Sequence, residues 1–336
     1  MDQVVTRVFV QSGQEVVPGQ DIYEYSHNGK LCTVQAHIKG RIDYDDVLVR
    51  MGACSPGSIS IRTRATSKPL DVLLEELYSL VGMESIKQDI QRQVDFLKIQ
   101  AIRSAMGFPS TRLSHHMVFS GNPGTGKTTV ARILSGIYRE IGILSKGHLI
   151  ETDRSGLVSG FLGQTALKTR ERLDEALGGI LFIDEAYSLC SANRSDSFGL
   201  EAIDTIVKYM EDNRGDLIVI VAGYEEEMRR FIASNPGLKS RFSNFLHFPD
   251  YSLDELQAMF NIFAARQNYK LCAGCVASLR KACEAIRSST AVTSGNGRAV
   301  RNLFERAIIN HASRVARLSL PSRYDLEYLG PEDISA

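Results

Sequence analysis

The sequence predicts an α/β protein: a parallel sheet covered by helices, with a small β-rich segment before it and a helical segment after it. Three observations carry this prediction. The central stretch alternates short apolar runs with amphipathic helical patterns, the rhythm of a parallel sheet buried on both faces. Up to about Arg64, "VVTRVFV", "KLCTVQAHI" and "SISIRT" carry β-branched residues in partial alternation, between turn signals at Pro18-Gly19, Asn28-Gly29 and Pro56-Gly57. After "FPDYSLDEL" strand patterns fade and the chain reads as helical nearly to its end.

In chain order, "ATSKPL" reads as a linker, and helical patterns follow in "LDVLLEELYSL" and "ESIKQDIQRQVDFLKIQAIRSAMG", the second stopped by Gly107 and Pro109. "HHMVFSG", "GGILFIDEA" and "DLIVIVAGY" are the clearest strands, apolar enough to be central. In the last long helix Val300, Leu303, Phe304, Ala307, Ile308 and Val315 form one stripe. The expected domains are residues 1–66, a small β-rich domain; 67–250, the large α/β domain; and 251–336, a helical lid.

At 336 residues, with 43% apolar and 23% charged residues, the chain can bury more than one core. Lys+Arg and Asp+Glu balance at 39 each, so no global field recruits nucleic acid or an anionic surface. No apolar run approaches the ~20 residues that span a bilayer, and "MDQVVTRVFV" lacks the features of a signal peptide. The six scattered cysteines suit reduced thiols, and the expected location is the cytoplasm. Cys272 and Cys275 form a lone C-x-x-C without a second pair or nearby histidines, which reads as packing rather than a metal site.

"FSGNPGTGKTTVARIL" joins a strand to a helix through three glycines, and it fits G-x-x-x-x-G-K-[ST] at Gly121, Gly126, Lys127 and Thr128. Such glycines let successive backbone N–H groups turn inward around phosphate oxygens at a helix N-terminus. The cradle runs over Gly121, Asn122, Pro123, Gly124, Thr125, Gly126, Lys127, Thr128 and Thr129. Lys127 would sit on the β- and γ-phosphates of ATP, and the Thr128 hydroxyl on Mg²⁺. "GILFIDEA" delivers Asp184 and Glu185 to the C-terminal end of a strand, where open α/β sheets bind ligands. Asp184 suits the Mg²⁺ shell, and Glu185 suits orienting the water that attacks the γ-phosphate. Together they indicate hydrolysis.

From about Leu70 onward the chain resembles AAA+ ATPases of the CbbX/SpoVK (CfxQ) group, which includes red-type Rubisco activase, the sporulation protein and type VII secretion ATPases. "SGNPGTGKTTVAR", "KGHLIE", "GQTALKTRERLDEALGGILFIDEAYSL", "VAGYEEEM", "NPGLKSRFSNFLHFPDYSLDEL" and "GNGRAVRNLFERA" carry the match. The resemblance implies a ring, commonly a hexamer, with nucleotide between subunits. It implies that Arg241 in "LKSRF" is the arginine finger that reaches a neighbour's γ-phosphate, a guanidinium supplied in trans to transition-state charge. It further implies that Arg298 in "GNGRAVRN" is a lid arginine touching the nucleotide of its own subunit, with Arg301 one turn later as a substitute. Val81 and Gly82 stand where the family packs on adenine, or at an ordinary helix start. The strand that many relatives end in a polar sensor ends here at Gly223-Tyr224, leaving the sensing group open.

"GLVSGFLGQT" is similar to the pore loop of AAA+ translocases, with Phe161-Leu162-Gly163 as its aromatic–hydrophobic–glycine step. The resemblance implies that Phe161 grips an extended client polypeptide; an ordinary core phenylalanine is the alternative. The N-terminal part lies outside the resemblance. Its spacing of Val and Gly is weakly similar to lipoyl-type sandwiches, but Lys30 lacks the flanks of a modified lysine. A domain without a prosthetic group, docking a client or adaptor, is expected. The expected function is a ring-forming Mg·ATP motor that remodels or threads a client protein. A nucleotide-dependent scaffold switch and a nucleic-acid motor are the alternatives, and no nucleic acid or membrane partner is expected.

Overall fold

The computed structural model describes residues 4–12, 14–17, 19–27, 30–36, 40–44, 59–62, 68–109, 114–161, 163–190, 197–213, 215–288 and 295–334. The turns expected at Asn28-Gly29 and Pro56-Gly57 and the residue Pro18 lie outside them. The chain divides into two compact units, residues 1–74 with 88–113, and residues 75–87 with 114–336.

The first unit is β-rich. Its strands are β1 (Val4–Val8), β2 (Glu15–Val16), β3 (Asp21–His27), β4 (Lys30–Gln35), β5 (Gly40–Asp43) and β6 (Ser60–Arg62). They form two antiparallel three-stranded sheets, ordered β1-β3-β4 and β2-β5-β6. Val5, Val16, Ile22, Tyr23 and Ile42 fill one core, and Ile102 packs against it. Two helices follow in the chain: α1 (Leu70–Tyr78) and α2 (Glu84–Ala105), which carries Ile102.

The second unit opens with β7 (Met117–Ser120) and α3 (Lys127–Glu140). It continues through β8 (Leu149–Thr152), α4 (Arg154–Leu157), α5 (Thr165–Ala176), β9 (Ile180–Ile183), a 3-10 turn (Ala186–Leu189), α6 (Ser197–Asp212) and β10 (Ile218–Gly223). Two short helices, α7 (Glu225–Ser234) and α8 (Pro236–Arg241), lead to β11 (Asn244–His247). The five strands form one parallel sheet ordered β11-β7-β10-β9-β8. β9 and β10 are buried along their whole length, as their unbroken apolar runs require of strands covered on both faces. The chain passes from β7 outward to β8, returns through β9 and β10, and only then places β11 on the other side of β7. That reversal puts a crevice beyond the carboxyl ends of β7, β10 and β9.

The remainder is mostly helical: α9 (Leu253–Arg266), α10 (Cys275–Ser288), α11 (Asn296–Val315) and α12 (Arg323–Glu327). The stripe on α11 is buried at Val300, Leu303, Phe304, Ala307 and Val315, while Ile308 is half-buried. Phe304 meets Phe260 edge-on at 5.5 Å between ring centroids, joining α11 to α9. Within this mostly helical stretch, β12 (Lys270–Leu271) and β13 (Tyr328–Leu329) pair in parallel. Two-residue strands carry no periodicity, so tertiary pairing alone creates them. Cys275 donates its thiol to the Leu329 carbonyl at 3.0 Å and lies 3.3 Å from the Cys272 sulfur. Burial first, then the Cys272 thiol, pushes Cys275 up to about 12. Asp333, almost fully buried, takes a paired contact from Arg314 at 2.8 Å. Among the described residues, no helix is long and apolar enough to cross a membrane.

Candidate nucleotide site

The loop between β7 and α3 occupies the crevice. Gly121 adopts φ +144°, and a Cβ there would collide with the Phe248 carbonyl, so only glycine fits. Gly126 precedes α3 in the left-handed region at φ 94°, and no side chain caps the helix. The first N–H groups of a fourteen-residue helix are therefore left for an anion.

Lys127 is 9% exposed, and its ammonium donates to the Gly121 and Asn122 carbonyls at 2.7 and 2.8 Å. Burial pushes it below the ordinary lysine range, and the Asp184 and Asp250 carboxylates pull it back up. A buried ammonium held by loop carbonyls at the floor of an anion cradle fits a polyphosphate.

The register of the sheet brings the acid pair to the same edge. Gly223 pairs with Ser120, and Val221 pairs with both Val118 and Ile183, so Asp184 leaves β9 level with the phosphate loop. β10 lies between β7 and β9, which separates loop and acids by about 10 Å at ordinary strand spacing. Both carboxylates are exposed to the crevice. Glu185 sits at φ 48°, a strained left-handed angle for a residue with a side chain. Its N–H donates to Asp184 Oδ1 at 3.0 Å.

One cavity of about 550 Å³ gathers these groups. Gly121, Pro123, Gly124, Gly126, Lys127, Thr128 and Thr129 line it from the loop and the start of α3, Asp184 and Glu185 from just past the end of β9, and Arg298 and Arg301 from α11. Its apolar wall is Leu80, Val81 and Met83 from the turn before α2, with Met259, Ile262 and Phe263 from α9. A polar floor and an apolar slot at one end suit a nucleotide, phosphates on the glycine loop and base between the two walls. Among the described residues no cluster of three His, Cys, Asp or Glu could hold a metal. The Thr128 hydroxyl and the Asp184 carboxylate instead fit Mg²⁺ shared with phosphate oxygens, the usual arrangement for that cation.

Several expected residues lie elsewhere. Asn122 turns from the cavity and donates to both oxygens of Asp250 at 2.9 and 3.0 Å. Thr125 is buried and bonds the Asn122 carbonyl at 2.8 Å. Gly82 does not line the cavity; at φ +66° it lets the chain pass where a Cβ would strike the Glu255 carboxylate of the α9 capping box. Arg241 lies outside its own chain's cavity, donating to Glu211 at 2.8 Å and to the Gly237 carbonyl at 3.2 Å. Phe161 is 71% exposed, which excludes the core reading. Gly160 and Gly163 flank it, each with open space around it; Leu162 lies outside the described residues.

Sequence reasoning missed Tyr251, Met259, Ile262, Phe263 and Arg266, all of which line the cavity. It left the end of β10 open, and there Tyr224 lines the cavity with its ring 6.0 Å from that of Tyr187. A Cβ at Gly223 would press to 2.7 Å from the Tyr187 ring, so the pair depends on that glycine. Burial first, then Glu185 and Tyr224, pushes Tyr187 up to about 12.

Residues 117–250 match the family described as ATPase family associated with various cellular activities (AAA), and residues 252–336 match the AAA lid domain. Stage V sporulation protein K of Bacillus subtilis is 42% identical over 78% of this chain and 81% of its own length. The chain is an AAA ATPase of the CbbX/SpoVK group. Protein CbbX of Cereibacter sphaeroides is 38% identical over 84% of this AAA ATPase and 92% of its own length. The chloroplastic ribulose bisphosphate carboxylase/oxygenase activase of Cyanidioschyzon merolae is 36% identical over 83% of it and 96% of its own length. Among solved structures, the FIGL-1 AAA domain in complex with ADP superposes with a TM-score of 0.53 at 17% identity, covering 76% of this chain and 80% of that one. That likeness is one of fold.

Proposed function

We propose that this ATPase works as a ring, commonly a hexamer, in which Mg·ATP hydrolysis drives the remodelling or partial threading of a client protein. Lys127 holds the β- and γ-phosphates, Thr128 and Asp184 complete the Mg²⁺ shell, and Glu185 orients the attacking water. Arg298 contacts the nucleotide of its own subunit. Arg241 acts on the neighbour's γ-phosphate, a role supported by its position outside its own cavity. Residues 67–250 form the motor body, 251–336 the lid, and 1–66 a docking domain for client or adaptor, in the cytoplasm.

The observation that carries the motor reading is Phe161. The Phe161 ring is 71% exposed on a glycine-flanked connection, where it is open to contact by another chain. It suits nonpolar grip on an extended chain, because every polypeptide offers backbone and β-carbons. Burying one such ring is worth about 1.5–3 kcal/mol, and a ring of subunits multiplies it.

The test uses the client captured by a Glu185→Gln trap, with ATPase rate and remodelling measured for wild type, Phe161→Ala and Phe161→Tyr. Phe161→Ala should assemble and hydrolyse ATP yet lose client stimulation and remodelling, and Phe161→Tyr should retain most of both. Wild-type remodelling by Phe161→Ala would favour the scaffold switch.

A further inference from the structure

Asn296, the first residue of α11, is 7% exposed, and it holds a left-handed angle, φ 34°, rare for a residue with a side chain. Glycine would take that angle freely, and Gly295 and Gly297 stand on either side. A strained, buried amide between two glycines is retained for what its side chain does.

That side chain joins three segments. Its Oδ1 accepts from the Tyr251 N–H at 3.1 Å. Its Nδ2 donates to Asp250 Oδ1 at 2.8 Å and, at 3.4 Å, to the Pro123 carbonyl of the phosphate loop. Asp250 and Tyr251 form the connection between β11 and α9, where the match to the AAA body ends and the match to its lid begins. The same Asp250 carboxylate accepts the forked amide of Asn122, and the Tyr251 hydroxyl donates to the Thr125 carbonyl at 3.1 Å. Beside the amide, the Gly297 N–H donates to the Gly124 carbonyl at 3.0 Å. A Cβ at Gly124 would lie 2.5 Å from the Gly295 carbonyl. The phosphate loop, the hinge and the first turn of α11 are thus fastened together within two residues of Arg298.

We propose that Asn296 is a positioning residue that transmits occupancy of the phosphate loop to the lid, through Asp250 and Asn122, and aims Arg298 into the cavity. The proposal rests on Arg298 as the lid contact to nucleotide. Phosphates that reorder residues 122–125 must move or retain the Asn122–Asp250–Asn296 bridge. Either way the start of α11 follows, because its side-chain and backbone bonds run to that loop. Neither Asn296 nor Asp250 lines the cavity, so both act through other residues.

The test exchanges donor and acceptor. Asn296→Asp faces one carboxylate with another; the double variant Asn296→Asp with Asp250→Asn restores a donor–acceptor pair at unchanged net charge. The readouts are ATPase kcat and the change in hydrogen exchange at residues 297–301 when ADP is added. Asn296→Asp should lower kcat at least tenfold and abolish the ADP-dependent protection, and the double variant should recover both to within about threefold of wild type. Effects that simply multiply, or ADP-dependent protection in Asn296→Asp equal to wild type, would overturn the bridge. Arg298→Ala separates the two readings: it should keep the ADP-dependent protection while losing hydrolysis. Wild-type hydrolysis by Arg298→Ala would remove Arg298 from its role and leave the exchange test of the bridge standing.

Discussion

The proposed roles of Lys127 and Glu185, holding phosphate and orienting water, go with different surroundings. The lysine is buried on loop carbonyls, and the glutamate is exposed at a strained turn. Lys127→Ala leaves the phosphates without their fixed cation, so calorimetry should detect no ATP binding. Glu185→Gln keeps the shape of the site and loses only the carboxylate beside the water, so ATP should bind and persist with little phosphate release. Near-normal affinity in the first, or rapid turnover in the second, would contradict these roles. Both residues were legible because their chemistry is contiguous in sequence: a glycine loop between strand and helix, and an acid pair at a strand end. Tyr251, Met259 and Phe263 were not. Met259 and Phe263 reach the cavity only when α9 folds back over the loop, Tyr251 reaches it from the connection before α9, and apolar or aromatic residues there look like any core.

At the scale of elements, the sheet was readable from three apolar runs, whereas the edge strands β8 and β11 were not, because "LIET" and "NFLH" mix polar with apolar residues, and the two-residue β12–β13 pair is too short to show a pattern. The lid's end is held by charge. Burial pushes the Asp333 carboxyl up, but the Arg314 guanidinium and the Gly330 N–H outweigh it and hold the group below the ordinary aspartate range. A carboxyl depressed in the folded state contributes stability above its unfolded value, about 3.9, and loses it as pH falls through the folded value. Asp333→Asn should therefore cost about 1.5–3 kcal/mol of lid stability at neutral pH. Hydrogen exchange across α11 should find that penalty constant from pH 7 to about 5 and shrinking below about 4. A penalty already fading between pH 7 and 6 would point to another group.

For the whole molecule, the cavity's lining among the described residues falls within 79–83 and 121–301, and the β-rich core takes in Ile102 from α2. The proposed docking domain, residues 1–66, ends where the pattern changes from alternating to helical, whereas the compact β-rich unit runs on through residue 74 and takes in residues 88–113, because α2 packs Ile102 into its core. On the proposed reading, the site is completed by a neighbour. Arg241 pairs with Glu211 outside the cavity that its own chain forms, and among the described residues its buried Nε has no hydrogen-bond partner. If hydrolysis belongs to the ring rather than to each subunit, mixing two inactive variants must restore it. Arg241→Ala keeps Glu185 but offers no finger; Glu185→Gln keeps the finger but cannot activate water. Each alone should be inactive, and an equimolar mixture should recover activity, with about a quarter of randomly formed interfaces pairing an intact Glu185 with an intact Arg241. A mixture as inactive as its components, or wild-type hydrolysis by Arg241→Ala alone, would contradict a site shared between subunits.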